Sequence, residues 1–365
     1  MDELCERGFR LAERAHERRF AKFKKKLKFA KTSHTRVRMQ SILNRASGLR
    51  ALVFGDLMLD HYIIGDAHRL SPEAPVPIVL AREDHWLLGG AANVARNLAA
   101  LGTMTEVAGR IGKDPQGDRL QNLLAECNIL FDAGFRDSSV STISKTRIVA
   151  GRQQVCRIDR EQSTGAYAVT REAYLEVLER ALKRADILIL SDYAKGTLTQ
   201  PVVNKVMKFA REQGCFIAAD PKPSRPLQYP AADLLTPNAR EALAMAGYDP
   251  YGTESPDWEA VCKKIYAKHK PKYLVITLGP AGMYYAQDGQ LVKCVSTKPQ
   301  EVYDVSGAGD TVIAVISVAL AGGSTLDDAI RCANTAAGIV INKLGTAVAT
   351  PSEIINALNT ASIAR

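Results

Sequence analysis

The chain has 365 residues, 46% of them hydrophobic and 24% charged, which excludes wholesale disorder and a fibrous repeat and suggests one large domain or two ordinary ones. Its 48 Lys/Arg against 39 Asp/Glu give a net charge of +9, a surplus that taken alone suggests nucleic acid or an anionic membrane as partner. Residues 1–50, however, hold 15 basic and 5 acidic side chains, while the other 315 residues hold 33 and 34, and a whole-domain nucleic-acid footprint is excluded because such a domain would itself be basic.

Residues 1–47 read as a basic extension, densest at Lys22, Lys24, Lys25, Lys26 and Lys28, with Leu4, Leu11, Phe20, Phe23, Leu27 and Phe29 at roughly helical spacings. Three readings stay open: a solvated helix or a stretch ahead of a true start at Met39, attachment to an anionic membrane surface, and nucleic-acid contact. No apolar core of a signal peptide follows the first charges. The longest apolar run, Val312 to Ala321, is too short to span a bilayer. The seven cysteines are scattered, odd in number and without a CxxC pair, so reduced thiols in a cytoplasmic protein are expected.

Residues 48–361 read as one body. Ala51–Gly55, Ile187–Ser191, Phe216–Asp220 and Tyr273–Thr277 are continuous apolar runs, as expected for parallel strands covered on both faces. Amphipathic stretches such as Arg171–Arg184 and Gln200–Gln213 lie between them. This rhythm predicts an α/β doubly wound, mostly parallel sheet. Two stretches break it. Residues 61–88 contain the Pro-rich Ser71-Pro-Glu-Ala-Pro-Val-Pro77, and residues 141–160 read as a hairpin turning near Gly151. A small β-strand lid built from both is expected, with Ile143, Lys145, Arg147 and Val149 on one strand face.

Polar clusters stand at the strand ends, where open α/β sheets bind ligands. Gly55-Asp-Leu-Met-Leu-Asp60 offers Asp56 and Asp60 for sugar hydroxyls. Leu88-Gly-Gly-Ala-Ala-Asn93 leads into a helix whose Gly89 and Gly90 permit close approach and whose Asn93 can donate and accept. Ser191-Asp-Tyr-Ala-Lys-Gly196, Asp220-Pro-Lys222, Pro237-Asn-Ala-Arg-Glu241 and Thr277-Leu-Gly279 follow other strands. Each alone could be a cap or a turn; together they suggest one cleft for a large anionic ligand.

The strongest signal is Asp304-Val-Ser-Gly-Ala-Gly-Asp-Thr311 ahead of an apolar helix. Small residues at a helix start point backbone N–H groups at an anion. Asp310 beside them would repel that anion unless it served chemistry, such as accepting the proton of an attacking hydroxyl. A glycine turn with an Asp cap would use the same residues.

Gly89–Gly102 and Asp304–Asp310 together resemble the two signatures of the ribokinase/PfkB family of sugar kinases, and the resemblance covers about residues 50–350. It implies a ribokinase-like fold and phosphoryl transfer from ATP to a sugar hydroxyl, with Mg²⁺ on the phosphates; a monovalent cation stays open. It implies Asp310 as general base and Gly307, Ala308 and Gly309 as anion hole. On the nucleotide side it implies Asn238, Ala239, Arg240, Glu241, Lys222, Thr277, Gly279 and Asn334, with Glu241 acting indirectly on the metal. Asp60 and Asn93 match sugar contacts.

Within that family GDLMLDHY, RLSPEAPVPIV, LSDYAKG and LLTPNARE are most similar to the D-glycero-β-D-manno-heptose-7-phosphate kinases of ADP-heptose synthesis. Such a substrate needs cations for its distal phosphate, and Lys145, Arg147, Arg152 and Lys195 are the candidates. No HxGH nucleotidyltransferase motif appears, so the resemblance implies a separate adenylyltransferase as pathway partner. It also implies a homodimer, and no nucleic acid. Competing expectations are another sugar kinase, ribokinase- or fructokinase-like, and a nucleic-acid or membrane binder using the basic arm.

Overall fold

The computed structural model describes residues 38–151, 153–224, 226–252, 255–295, 304–343 and 345–363. The described residues begin with helix α1 (residues 38–46), strand β1 (Arg50–Gly55), the long strands β2 (Leu57–Leu70) and β3 (Pro77–Gly90), and helix α2 (Ala91–Ala100). Next come β4 (Met104–Ala108), β5 (Ile111–Gly112), α3 (Pro115–Glu126), β6 (Leu130–Phe131), β7 (Arg136–Asp137), β8 (Ile143–Ala150) and β9 (Gln153–Arg160). Alternation then sets in with α4 (Glu172–Leu182), β10 (Ile187–Ser191), α5 (Gln200–Glu212), β11 (Phe216–Asp220), β12 (Leu234–Leu235), α6 (Ala239–Met245), α7 (Trp258–His269) and β13 (Tyr273–Thr277). The chain closes with β14 (Met283–Gln287), β15 (Gln290–Val295), α8 (Ala308–Ala321), α9 (Leu326–Val340) and α10 (Pro351–Ile363).

The main sheet runs β15-β14-β13-β12-β11-β10-β1-β4-β6, parallel except where β14 and β15 join antiparallel. The apolar runs explain its two covered faces. Ala51 and Val53 of β1, and Ile187 and Ile189 of β10, enter one core with α2, α3, α8 and α9. Leu52, Phe54, Leu188 and Leu190 enter the other, with α4, α5 and α7. Alternate side chains of one strand thus feed opposite cores. Helix α8 is buried from Asp310 through Ala319 because it lies between the sheet and α9.

The expected lid is a second sheet, β3-β2-β8-β9. Its Pro-rich segment makes the tip joining β2 to β3, closed by Ser71 N–H donating to the Val76 carbonyl. β2 pairs antiparallel with β3 and parallel with β8, which puts Asp60 beside Lys145 and Tyr62 beside Arg147. The lid starts earlier than expected, at Leu57, because this ladder grows straight out of β1. Strand β9 is its outer edge and is exposed along its length.

The expected boundary at 47/48 is corrected. Met39, Ile42, Leu43 and Ala46 of α1 are at most 5% exposed and belong to the core beneath α2 and α8. Residues 38–46 are therefore part of the body. The basic run at 22–28 and the candidate Arg152 lie outside the described residues.

Candidate active site

Because β1, β10, β11, β12 and β13 run parallel, their carboxyl ends and the loops after them share one edge of the sheet. Helix α8 starts at that edge. Its cap, Gly307, has φ 80°, and a Cβ there would meet Asn93 Nδ2 at 2.6 Å, so only glycine fits on both counts. A Cβ on Gly309 would meet nothing within 4 Å. Ala308, Gly309 and Asp310 form the first turn, where backbone N–H groups have no intrahelical acceptor, facing open space at an electropositive helix end.

Asp310 is 5% exposed. Asn93 of α2 donates to its Oδ2 at 2.6 Å, and the Tyr193 hydroxyl donates to its Oδ1. Burial pushes the Asp310 carboxyl up to about 6, and the two donors act against that rise. A carboxylate so tuned is ionised at neutral pH yet basic enough to take a proton. Asn93 is held in turn: Asn97 Nδ2 donates to its carbonyl at 2.9 Å, and the Thr311 hydroxyl donates to Asn97 Oδ1 at 2.8 Å. Asn93 Oδ1 itself is buried without a partner, an acceptor that a ligand hydroxyl could use. Tyr193 was missed in the sequence as a contact to Asp310; its only signal was its place in the strand-end cluster 191–196.

Asp60, at the root of the lid, accepts from Arg147, whose guanidinium also lies over the Tyr62 ring at 5.1 Å. Asp60 stands close enough to Asp310 to help raise the latter's pKa. Asp304 ties the anion loop down, accepting from Ser306 N–H at 2.8 Å and from Gly345 N–H at 3.0 Å.

Two expectations are corrected. Asp56 is fully buried and accepts the backbone N–H groups of Tyr193, Lys195 and Thr197 at 2.9–3.0 Å. It shapes the loop that carries Tyr193 and presents no carboxylate to a sugar. Gly89 and Gly90 face protein: a Cβ would meet Asp60 Oδ2 at 2.4 Å in one case and the Asp56 carbonyl at 2.5 Å in the other. They let α2 close on β2. The candidate cations Lys145 and Lys195 stand against acids, Lys145 with Asp159 at 2.8 Å and Lys195 with Glu161 at 2.6 Å.

On the nucleotide side, Asn238 and Glu241 form a reciprocal capping box at the start of α6, and Asn238 bridges to Thr277 at the end of β13. Lys222 reaches Glu241 at 2.6 Å. The Asp220 carboxyl is raised well above its ordinary value by burial and by the nearby charges of Glu241 and Asp310. Gly279 follows at φ 59°, and Arg240 lies over Tyr251 at 5.3 Å, while Ala239 is the first residue of α6. Asn334 sits half-buried on α9.

The profile of the pfkB family carbohydrate kinases matches residues 49–353. This chain belongs to that family. It is a carbohydrate kinase with a ribokinase-like fold. It is 40% identical over 318 residues to the "Bifunctional protein HldE" of Citrifermentans bemidjiense, covering 87% of this chain and 65% of that protein. It is 42% identical over 313 residues to the protein of the same name from Halorhodospira halophila, covering 85% and 63%. The kinase thus spans less than two thirds of the length of these relatives. Among solved structures it resembles the ribokinase of Thermotoga maritima (TM-score 0.67, 22% identity, 85% of this chain and 99% of that one). It also resembles the Arabidopsis thaliana ribokinase solved with ribose and ATP (TM-score 0.65, 20% identity, 85% and 98%). Among the described residues no helix is long and apolar enough to cross a membrane.

Proposed function

We propose that this kinase transfers the γ-phosphoryl group of ATP to O1 of D-glycero-β-D-manno-heptose 7-phosphate, giving the 1,7-bisphosphate. The observation that carries the chemistry is Asp310, buried at the head of α8 with its carboxyl pushed up to about 6 and both oxygens oriented by donors. Asp310 accepts the O1 proton as the bond to phosphorus forms. The N–H groups of residues 307–309 take the charge of the transferring phosphoryl group. Asp60 and Asn93 hold the sugar hydroxyls. The heptose phosphate reading is supported by the subgroup motifs along the chain and by similarity to relatives named HldE.

Asp220 and Glu241 suit a divalent cation. Burial and the nearby charge of Glu241 favour the neutral form of the Asp220 carboxyl, and a cation held between the two would favour the ionised one. Bound Mg²⁺ would neutralise phosphate charge. The same reading places the kinase in the cytoplasm as a homodimer joined through the lid, whose exposed strand edge at β9 is open to pairing.

Turnover with D-glycero-β-D-manno-heptose 7-phosphate, set against ribose, fructose and their phosphates with ATP as donor, tests the reading. A kcat/KM for the heptose phosphate at least tenfold above every other acceptor is expected. Preference for an unphosphorylated pentose or hexose overturns it.

A further inference from the structure

We infer that Lys145 and Lys195, now bridged by Glu161, form the subsite for the substrate's distal phosphate, and that the Glu161 carboxylate occupies it in the absence of substrate. This rests on the proposed phosphorylated acceptor.

The two lysines come from different elements and converge on one acid. Lys195 Nζ lies 2.8 Å from Glu161 Oε1 and 2.6 Å from Oε2. Lys145 Nζ lies 3.8 Å from the same Oε2. Their side chains are only 22% and 15% exposed, unusual for lysines, which ordinarily extend their ammonium groups into water. Lys145 also pairs with Asp159, which Arg157 holds from its other side. Three cations therefore face two carboxylates. A phosphate dianion in place of Glu161 would balance that cluster, where a carboxylate monoanion leaves one positive charge over.

The cluster sits beside the reacting groups. Lys145 is the β8 partner of Asp60 on β2. Lys195 stands on the same loop as Tyr193, two residues on, and the Tyr193 hydroxyl touches Asp310. Asp60, in register with Lys145, also lies near enough to Asp310 to act on its carboxyl, so a sugar held at Asp310 and Asp60 would carry its far end toward Lys145. Arg147, the other cation of this strand face, is engaged with Asp60 and the Tyr62 ring and serves the sugar-binding carboxylate instead. Glu161 follows the end of β9 and is 31% exposed, so it can swing to water when phosphate arrives.

The test uses the full chain with a non-hydrolysable ATP analogue filling the anion hole, and measures inorganic phosphate binding by calorimetry in wild type, Glu161→Gln, Lys195→Gln and the Lys145→Gln/Lys195→Gln pair. KM for heptose 7-phosphate is measured in parallel. Removing the competing carboxylate in Glu161→Gln should tighten phosphate about threefold, and Lys195→Gln should weaken it about tenfold, the scale of one charged hydrogen bond. KM should follow the same order. Equal phosphate affinity in all four proteins overturns the subsite, whatever sugar is turned over. If phosphate affinity follows the expected order but no heptose phosphate is phosphorylated, the subsite stands and the substrate reading falls.

Discussion

Tyr193 and Asp310 stand 117 positions apart, yet the Tyr193 hydroxyl donates to Oδ1 of Asp310 while Asn93 donates to Oδ2. The Asp310 carboxylate is thereby fixed by one donor from the loop after β10 and one from α2. Burial and the Asp310 charge in turn hold the Tyr193 phenol well above its ordinary pKa, so it stays a donor throughout the working pH range.

Tyr193→Phe should therefore change the pH profile as well as the rate. Asp310 must be ionised to act, so activity is present above about 6 and falls as pH drops through that value. The Tyr193 hydrogen bond favours the ionised carboxylate, and removing it raises the Asp310 pKa further. The acidic limb of kcat should move to higher pH and kcat at neutral pH should fall about tenfold, with KM for ATP little changed. A lower kcat with an unmoved limb would leave Tyr193 a packing residue only.

Asp310→Asn replaces the carboxylate by an amide of the same shape: Asn93 can still donate to the remaining oxygen, while the Tyr193 hydroxyl must turn to accept from the new NH₂. Sugar and nucleotide binding should survive, and kcat should fall by ~10²–10⁴, the contribution of a positioned general base. Single-turnover kinetics with saturating substrates check it, and near-normal turnover would remove Asp310 from that role.

The α1 packing predicts a sharp difference between two truncations. A chain beginning at residue 38 keeps Met39, Ile42, Leu43 and Ala46, all buried. A chain beginning at residue 48 loses them. Burying an aliphatic side chain contributes about 1.5–3 kcal/mol, and a domain has only about 5–15 kcal/mol in all. Urea denaturation should show the shorter chain severely destabilised or unfolded and the longer one close to the full chain.

These outcomes track what the sequence made legible. Strands β1, β10, β11 and β13 were readable because burial on both faces makes each a continuous apolar run. The loop ahead of α8 was readable because Gly307, at positive φ and against Asn93, meets a backbone demand that other residues cannot, and because small residues beside it leave the helix start open. The lid's existence followed from prolines that cannot be helical. Its parallel join of β2 to β8 did not, since a register between segments about eighty residues apart is set by packing. The antiparallel edge β14–β15 carries no continuous run of Val, Ile and Leu, and its only sequence signal is Asp288-Gly289, both at positive φ, a hairpin dipeptide. The role of Asp56 is not legible, because a carboxylate holding a loop through three N–H groups looks, in sequence, like one awaiting a hydroxyl. Tyr193 was missed because a tyrosine in a loop carries no periodic signal, and its partner is known only once two strand ends are set side by side.

Gly309→Ala separates stability from activity with one methyl group. Gly309 lies in the first turn of α8 and is not among the residues with positive φ, so alanine fits its backbone, and a Cβ there meets nothing of the protein within 4 Å. Glycine in a helix is less favourable than alanine by about 1 kcal/mol, so the variant should be as stable as the parent or slightly more so. That open space is where the transferring phosphoryl group would approach the helix N–H groups, and a methyl in it would hold the group away from them. Losing one such donor lowers kcat by ~10²–10³. Thermal unfolding and turnover measured together should move in opposite directions. A variant that keeps full activity would show that the phosphoryl group does not approach α8 at Gly309.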